Sequence, residues 1–207
     1  MNKSIIKLQL LFLAKVCIVF SLLIFNSNSE EYQKYNNTVV IGPDEAVVKI
    51  KIFSSLTCPH CADFHTKVVP EIKKEYVESG KVQLIFVDFP LDQASFNASK
   101  LLHCLDQNKQ IAFLDIIYEN QSNWTQGSNI NEINNNLKKI VEKLGINSNL
   151  FEKCLMNESI SDKILNGRID ANHKYSIDST PTIIINEKKL EGAASFENIR
   201  KKIEKLI

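Results

Sequence analysis

Two cysteines with two residues between them, Cys58 and Cys61, enclose a proline and a histidine, and they are the residues of this chain best equipped for chemistry. Thiols at that spacing can close on each other, so the pair can cycle between dithiol and disulfide and carry two electrons. A thiol reacts as its thiolate. Helix starts favour that form, because unpaired N–H groups and the helix dipole stabilise negative charge. His60, between the two sulfurs, adds an imidazole that can stabilise a thiolate by charge or hydrogen bonding and so move the pair toward a stronger oxidant. A zinc site is the competing use of such a pair, and His65 stands four residues beyond Cys61 on the same helical face. Structural zinc wants a second Cys-x-x-Cys or a close Cys/His pair, and none follows. The spacing therefore favours redox chemistry over a metal, and over an inert disulfide.

The flanking residues must supply the helix start. Val48 to Ser55 predicts a strand, with Val48, Ile50 and Ile52 on one face and Lys49 and Lys51 on the other. After Cys61 the period changes: Phe64, Val68, Ile72 and Tyr76 recur every four residues, which predicts a helix. Thr57 is the expected N-cap, and Pro59 suits a first turn, where its missing N–H has no partner to lose. Pro70 falls inside this helix and is expected to kink it. Ser79-Gly80 is a stop signal, and Lys81 to Phe89, apolar on both faces, reads as a central strand. Strand, helix and strand at this length form a βαβ unit with a right-handed crossover.

From Leu91 to about Tyr175 strand signals vanish. Amphipathic patterns predict five helices: one marked by Ala98, Leu101, Leu102 and Leu105, then Ile111 to Tyr118, Ile130 to Leu144, Leu150 to Met156 and Ile160 to Tyr175. Strand character returns at Thr182 to Asn186, pairing with Lys189 to Gly192 as a hairpin, and a helix from about Ser195 closes the chain. Val39 to Ile41 is a short first strand before the Gly42-Pro43-Asp44 turn. The fold class is α/β with an inserted all-helical domain. Residues 39–91 and 176–207 form the α/β part and residues 92–175 the insertion.

Residues 1–29 read as an export signal, with Lys3 and Lys7, an apolar run to Phe25 and small residues at Ser27-Asn28-Ser29. An uncleaved anchor over residues 8–25 is the alternative, weakened by Lys15 within the run. Export would place the protein in an oxidising compartment such as the bacterial periplasm. Cys17 lies in the discarded segment, which leaves four cysteines of the five. Loss of three lysines from the 25 basic residues leaves about 22 against 24 acids, so no basic field suggests nucleic acid. Cys104 and Cys154 then form the second pair, each beside apolar helical residues. Export, an even count and matching settings favour a structural disulfide, against the alternative of two buried thiols acting as small hydrophobes.

Ser179-Thr180-Pro181-Thr182 precedes the resumed strand. A proline there cannot donate to a sheet and demands a reason. With Cys58-Pro59-His60-Cys61 at a strand–helix junction, a helical insertion, the Asp88-Phe89-Pro90-Leu91 strand exit and Thr180-Pro181 before a strand, the chain resembles the DsbA-like disulfide oxidoreductases of thioredoxin fold. The resemblance implies that Cys58 is the exposed nucleophile, Cys61 its buried partner, and Pro181 a cis proline facing them, with the Thr180 backbone turned toward substrate. It implies a thiol oxidase acting on reduced secreted proteins, reoxidised by a membrane partner and monomeric, with the cysteines as its redox centre and no cofactor or metal. An isomerase or reductase of the same fold, or a non-catalytic chaperone module, is the alternative. One departure stands out. Relatives often carry an acid on the strand leading into the motif, whereas Lys49 to Phe53 offer none, so either Asp88 or water takes its part or the exchange step is slower.

Overall fold

The computed structural model describes residues 38–207. The leader and anchor readings, with Cys17, lie outside them. Five strands form one mixed sheet in the order β1-β3-β2-β4-β5: β1 (Thr38–Ile41), β2 (Val48–Ser54), β3 (Val82–Asp88), β4 (Thr182–Ile185) and β5 (Lys188–Lys189). β2 and β3 run parallel, with Val48 opposite Val82 and Ser54 opposite Asp88. β1 on β3 and β4 on β2 are antiparallel. All seven residues of β3 are buried, because the strand is covered on both faces. The polar positions of β2 are only partly open to water. Lys51 reaches the Tyr175 hydroxyl at 3.1 Å and pairs with Glu187, so its charge is held under a helix end.

Between β2 and β3 runs one helical stretch: α1 (Pro59–Asp63), a π turn over Phe64–Val68, α2 (Val69–Ile72) and a second π turn over Lys73–Val77. Proline at position 70 shows itself here as a change of register rather than as a break. The Val69 N–H reaches back five residues to the Phe64 carbonyl, widening the turn just before a residue that has no N–H to offer.

The chain between β3 and β4 is helical: α3 (Gln93–Cys104), α4 (Gln107–Glu119), α5 (Gln121–Trp124), α6 (Ile130–Val141) with a 3₁₀ turn at Glu142–Leu144, α7 (Ser148–Leu155) and α8 (Glu158–Tyr175). Capping explains several starts: the side chains of Asp92, Asn129, Asn147 and Asn157 each accept backbone N–H groups of the first turn. Sequence periodicity missed α5, a single turn of polar residues ending in the fully buried Trp124, whose indole N–H donates to the Ile117 carbonyl at 3.0 Å. The closing hairpin is shorter than expected. Asn186 and Glu187, both at positive φ, make a two-residue turn, and β5 is only Lys188–Lys189. Leu190 still bonds back to the Ile183 carbonyl, but Gly192 at φ 83° lies beyond the strand and leads to α9 (Phe196–Ile203), capped by Ser195.

Candidate active site

The sheet delivers β2 to the motif and the helix that follows receives it. The expected cap is corrected: Cys58 itself is the N-cap of α1, at φ −77° and ψ 119°, with Pro59 at the first helical position. Its carbonyl accepts the Cys61 and Ala62 N–H groups at 3.0 and 3.1 Å. Thr57 lies one residue too early, and its hydroxyl donates to Asp92 at 2.7 Å instead. The half-buried Cys58 sulfur is therefore beside the His60 and Cys61 backbone N–H groups of the helix start, whereas Cys61 is a turn inside and buried.

Both are thiols in this structure. The Cys58 thiol donates to the Thr180 carbonyl at 3.3 Å. Its pKa is lowered to about 5. The hydrogen bond from Cys61 contributes most, and the Thr180 side chain and the Cys61 and His60 backbone N–H groups add to it against the opposing cost of burial. Cys61 is pushed the other way, well above an ordinary thiol, by that same hydrogen bond to Cys58 and by desolvation. The two sulfurs thus share one thiolate, held on the exposed member.

The Thr180–Pro181 peptide bond is cis. Thr180, Pro181 and His60 line one groove of about 640 Å³, together with Phe64, Val68 and Phe196 and the charged rim of Asp63, Lys67 and Glu71. His60 is exposed there. Cys104 and Cys154, by contrast, form a disulfide between α3 and α7, with an S–S distance of 2.02 Å and Cα atoms 5.8 Å apart. Asp88 is buried at the end of β3, accepting from Ser99 at 3.0 Å and paired with His103. Among the described residues no group of His, Cys, Asp and Glu could hold a metal, and no helix is long and apolar enough to cross a membrane.

Residues 34–205 match the family model described as Thioredoxin. Over 99% of its length the chain is 27% identical to a probable disulfide bond formation protein D of Bacillus anthracis, covering 97% of that protein. It is 29% identical to a putative protein-disulfide oxidoreductase of Rickettsia prowazekii, over 83% of this chain but only 62% of that longer one. Among solved structures, alpha-DsbA1 of Wolbachia pipientis superposes with a TM-score of 0.75 at 29% identity, covering 82% of this chain and 90% of that one. The chain belongs to the thioredoxin family, among its DsbA-like thiol:disulfide oxidoreductases.

In this thioredoxin-like protein the helical insertion does more than cover the sheet. Gln121 of α5 donates its amide to the carbonyls of Leu56 and Cys58 at 2.8 and 3.0 Å. The Ser95 hydroxyl, in the first turn of α3, accepts the Leu56 N–H and the Ser55 hydroxyl, both at 2.9 Å. With Asp92 holding Thr57, the turn between β2 and Cys58 is fixed by side chains 35 to 65 residues away. Sequence reading named none of these. The one available signal was a glutamine, an aspartate and a serine at helix starts, which reads as capping alone.

Proposed function

We propose that this oxidoreductase introduces disulfides into exported, reduced proteins. In the oxidised enzyme Cys58 and Cys61 are joined. A substrate thiolate attacks Cys58 Sγ, forming a mixed disulfide while Cys61 leaves and takes up a proton. A second substrate thiolate then attacks the substrate's own sulfur in that bond, releasing the Cys58 thiolate, so that the substrate is oxidised and the enzyme reduced by two electrons. Cys58 is the nucleophile and leaving group, and Cys61 the buried partner. His60 stabilises the thiolate, and Thr180 and Pro181 present backbone to an extended substrate segment in the groove. A membrane oxidase regenerates the disulfide, and residues 1–29 direct a monomer to the periplasm.

The observation that carries the reading is the placement of the pair, with Cys58 half-buried at the start of α1 and 3.3 Å from the Thr180 carbonyl beside the cis Thr180–Pro181 bond, and Cys61 buried a turn inside. That placement lowers Cys58 to about 5 and raises Cys61. A stabilised thiolate favours the reduced enzyme, which makes the oxidised one a donor of disulfides. The test mixes oxidised enzyme with a reduced, unfolded substrate protein. One disulfide should form per enzyme consumed, and Cys58→Ala should form none. Rearrangement of a scrambled substrate without net oxidation would assign an isomerase instead.

A further inference from the structure

One buried group takes no part in the chemistry so far. His65 is 6% exposed, on the helix that starts at Cys58 and one turn beyond Cys61, so the two side chains share a face. Its ring packs against Tyr118 of α4 at 4.7 Å and Phe86 of β3 at 5.5 Å. Nε2 is 2.8 Å from Asp115 Oδ1, and Asp115 is half exposed on the outer side of α4. Nδ1 is buried with no hydrogen-bond partner among the described residues. With Nε2–H donating to the carboxylate, Nδ1 is a bare acceptor in an apolar wall, where a phenylalanine would sit at no polar cost.

We propose that His65, oriented by Asp115, is the general acid–base that carries the Cys61 proton. The inference rests on the thiol oxidase reading above. Cys61 is buried, and its thiol resists ionisation. When the enzyme is reoxidised, Cys58 first forms a mixed disulfide with the oxidant. Nδ1 then takes the proton from Cys61, directly after a side-chain rotation or across one water, and the Cys61 thiolate attacks Cys58 Sγ. That attack forms the Cys58–Cys61 bond, breaks the bond to the oxidant, and releases the oxidant's thiolate. The imidazolium, stabilised by the Asp115 carboxylate, returns its proton to solvent at the outer edge. When a substrate is oxidised the order reverses, and Nδ1–H protonates Cys61 as it leaves. The ionisable groups packed against His65 are Asp115 and Tyr118 from α4, with Cys61 one turn earlier on its own helix; Tyr118 in turn feels Cys61 and Asp88, which pairs with His103. Tyr118 is buried, its phenol raised well above the ordinary value by burial and by Cys61, so it does not take the proton itself.

The experiment follows reduced enzyme with excess oxidised glutathione, quenched in acid at intervals and resolved by mass into dithiol, Cys58-glutathione adduct and closed disulfide. In the wild-type protein closure should accelerate with rising pH through one ionisation. His65→Phe should close about 10²-fold more slowly, without that ionisation, while melting no lower than wild type and forming the adduct at an unchanged rate. Asp115→Asn, which can still accept from Nε2–H, should move the ionisation to lower pH, since the imidazolium loses its counter-charge. Unchanged closure rates and pH profiles would overturn the proposal. If His65→Phe fails to fold, the Asp115→Asn profile decides alone. Failure to form the Cys58 adduct at all would instead count against the oxidase reading.

Discussion

The molecule holds two cysteine pairs of opposite design. Cys58 and Cys61 are three residues apart at a helix start, with backbone N–H groups, a carbonyl and each other as partners, and they are open thiols. Cys104 and Cys154 are 50 residues apart on the packed faces of α3 and α7, joined, with Cys154 wholly buried. The chemistry of a disulfide is the same in both. What differs is whether the surroundings stabilise the cleaved thiolate, as they do at Cys58, or leave cleavage with nothing to gain. A short loop on a polarised helix end makes a switch, and a long loop in a core makes a staple.

The sharpest break between the pairs should appear in alkylation. With a Cys58 pKa lowered to about 5, its thiolate prevails above that value and is lost as the pH falls through it. Iodoacetamide at pH 6 should therefore label Cys58 rapidly and Cys61, Cys104 and Cys154 not at all. Equal labelling of Cys58 and Cys61 would remove the asymmetry on which the site rests.

Next in size is the staple. A crosslink closing 50 residues stabilises by roughly 4 kcal/mol through the unfolded chain. Cys104→Ser with Cys154→Ser should accordingly lower the melting temperature by about 8–16 °C. Calorimetry reads this, and an unchanged melting point would mean that the helices need no tie.

Gln121→Ala should cost about 1–3 kcal/mol, because two carbonyls of the active-site turn lose their donor. It should also slow substrate oxidation, since the Cys58 turn is no longer held. Denaturant titration and the substrate assay check the two effects together. His60→Ala is the smallest change, touching no described hydrogen bond. It should make the first pair less oxidising by a few-fold in equilibrium constant, with about 30 mV marking each tenfold step. An unchanged potential would make the histidine passive.

The legible parts of this protein were those written in local pattern. The period-two run into Cys58, the period-four run after it and the helical block between β3 and β4 all fell where apolar spacing put them. Sequence reading was blind where meaning depends on distance in the fold. Thr57 looked like a cap because its residue type caps helices, yet its hydroxyl is spent on Asp92, 35 residues later. The α5 turn carries too few residues to show a period, and the value of Gln121 lies in carbonyls more than 60 residues upstream. The π turn just before Pro70 reflects a missing N–H whose remedy is chosen by packing rather than by composition. His65 was visible as a candidate ligand. Only the fold shows it facing Asp115 and Tyr118.

The central claim is that one pair is an oxidising switch and the other a closed staple. Equilibration with graded mixtures of reduced and oxidised glutathione, followed by acid quench and mass spectrometry, tests it in a single titration. The account predicts that Cys58–Cys61 is reduced in buffers still rich in oxidised glutathione, while Cys104–Cys154 stays closed across the whole series. A Cys58–Cys61 pair that opens only under strongly reducing conditions, alongside or after Cys104–Cys154, would contradict it.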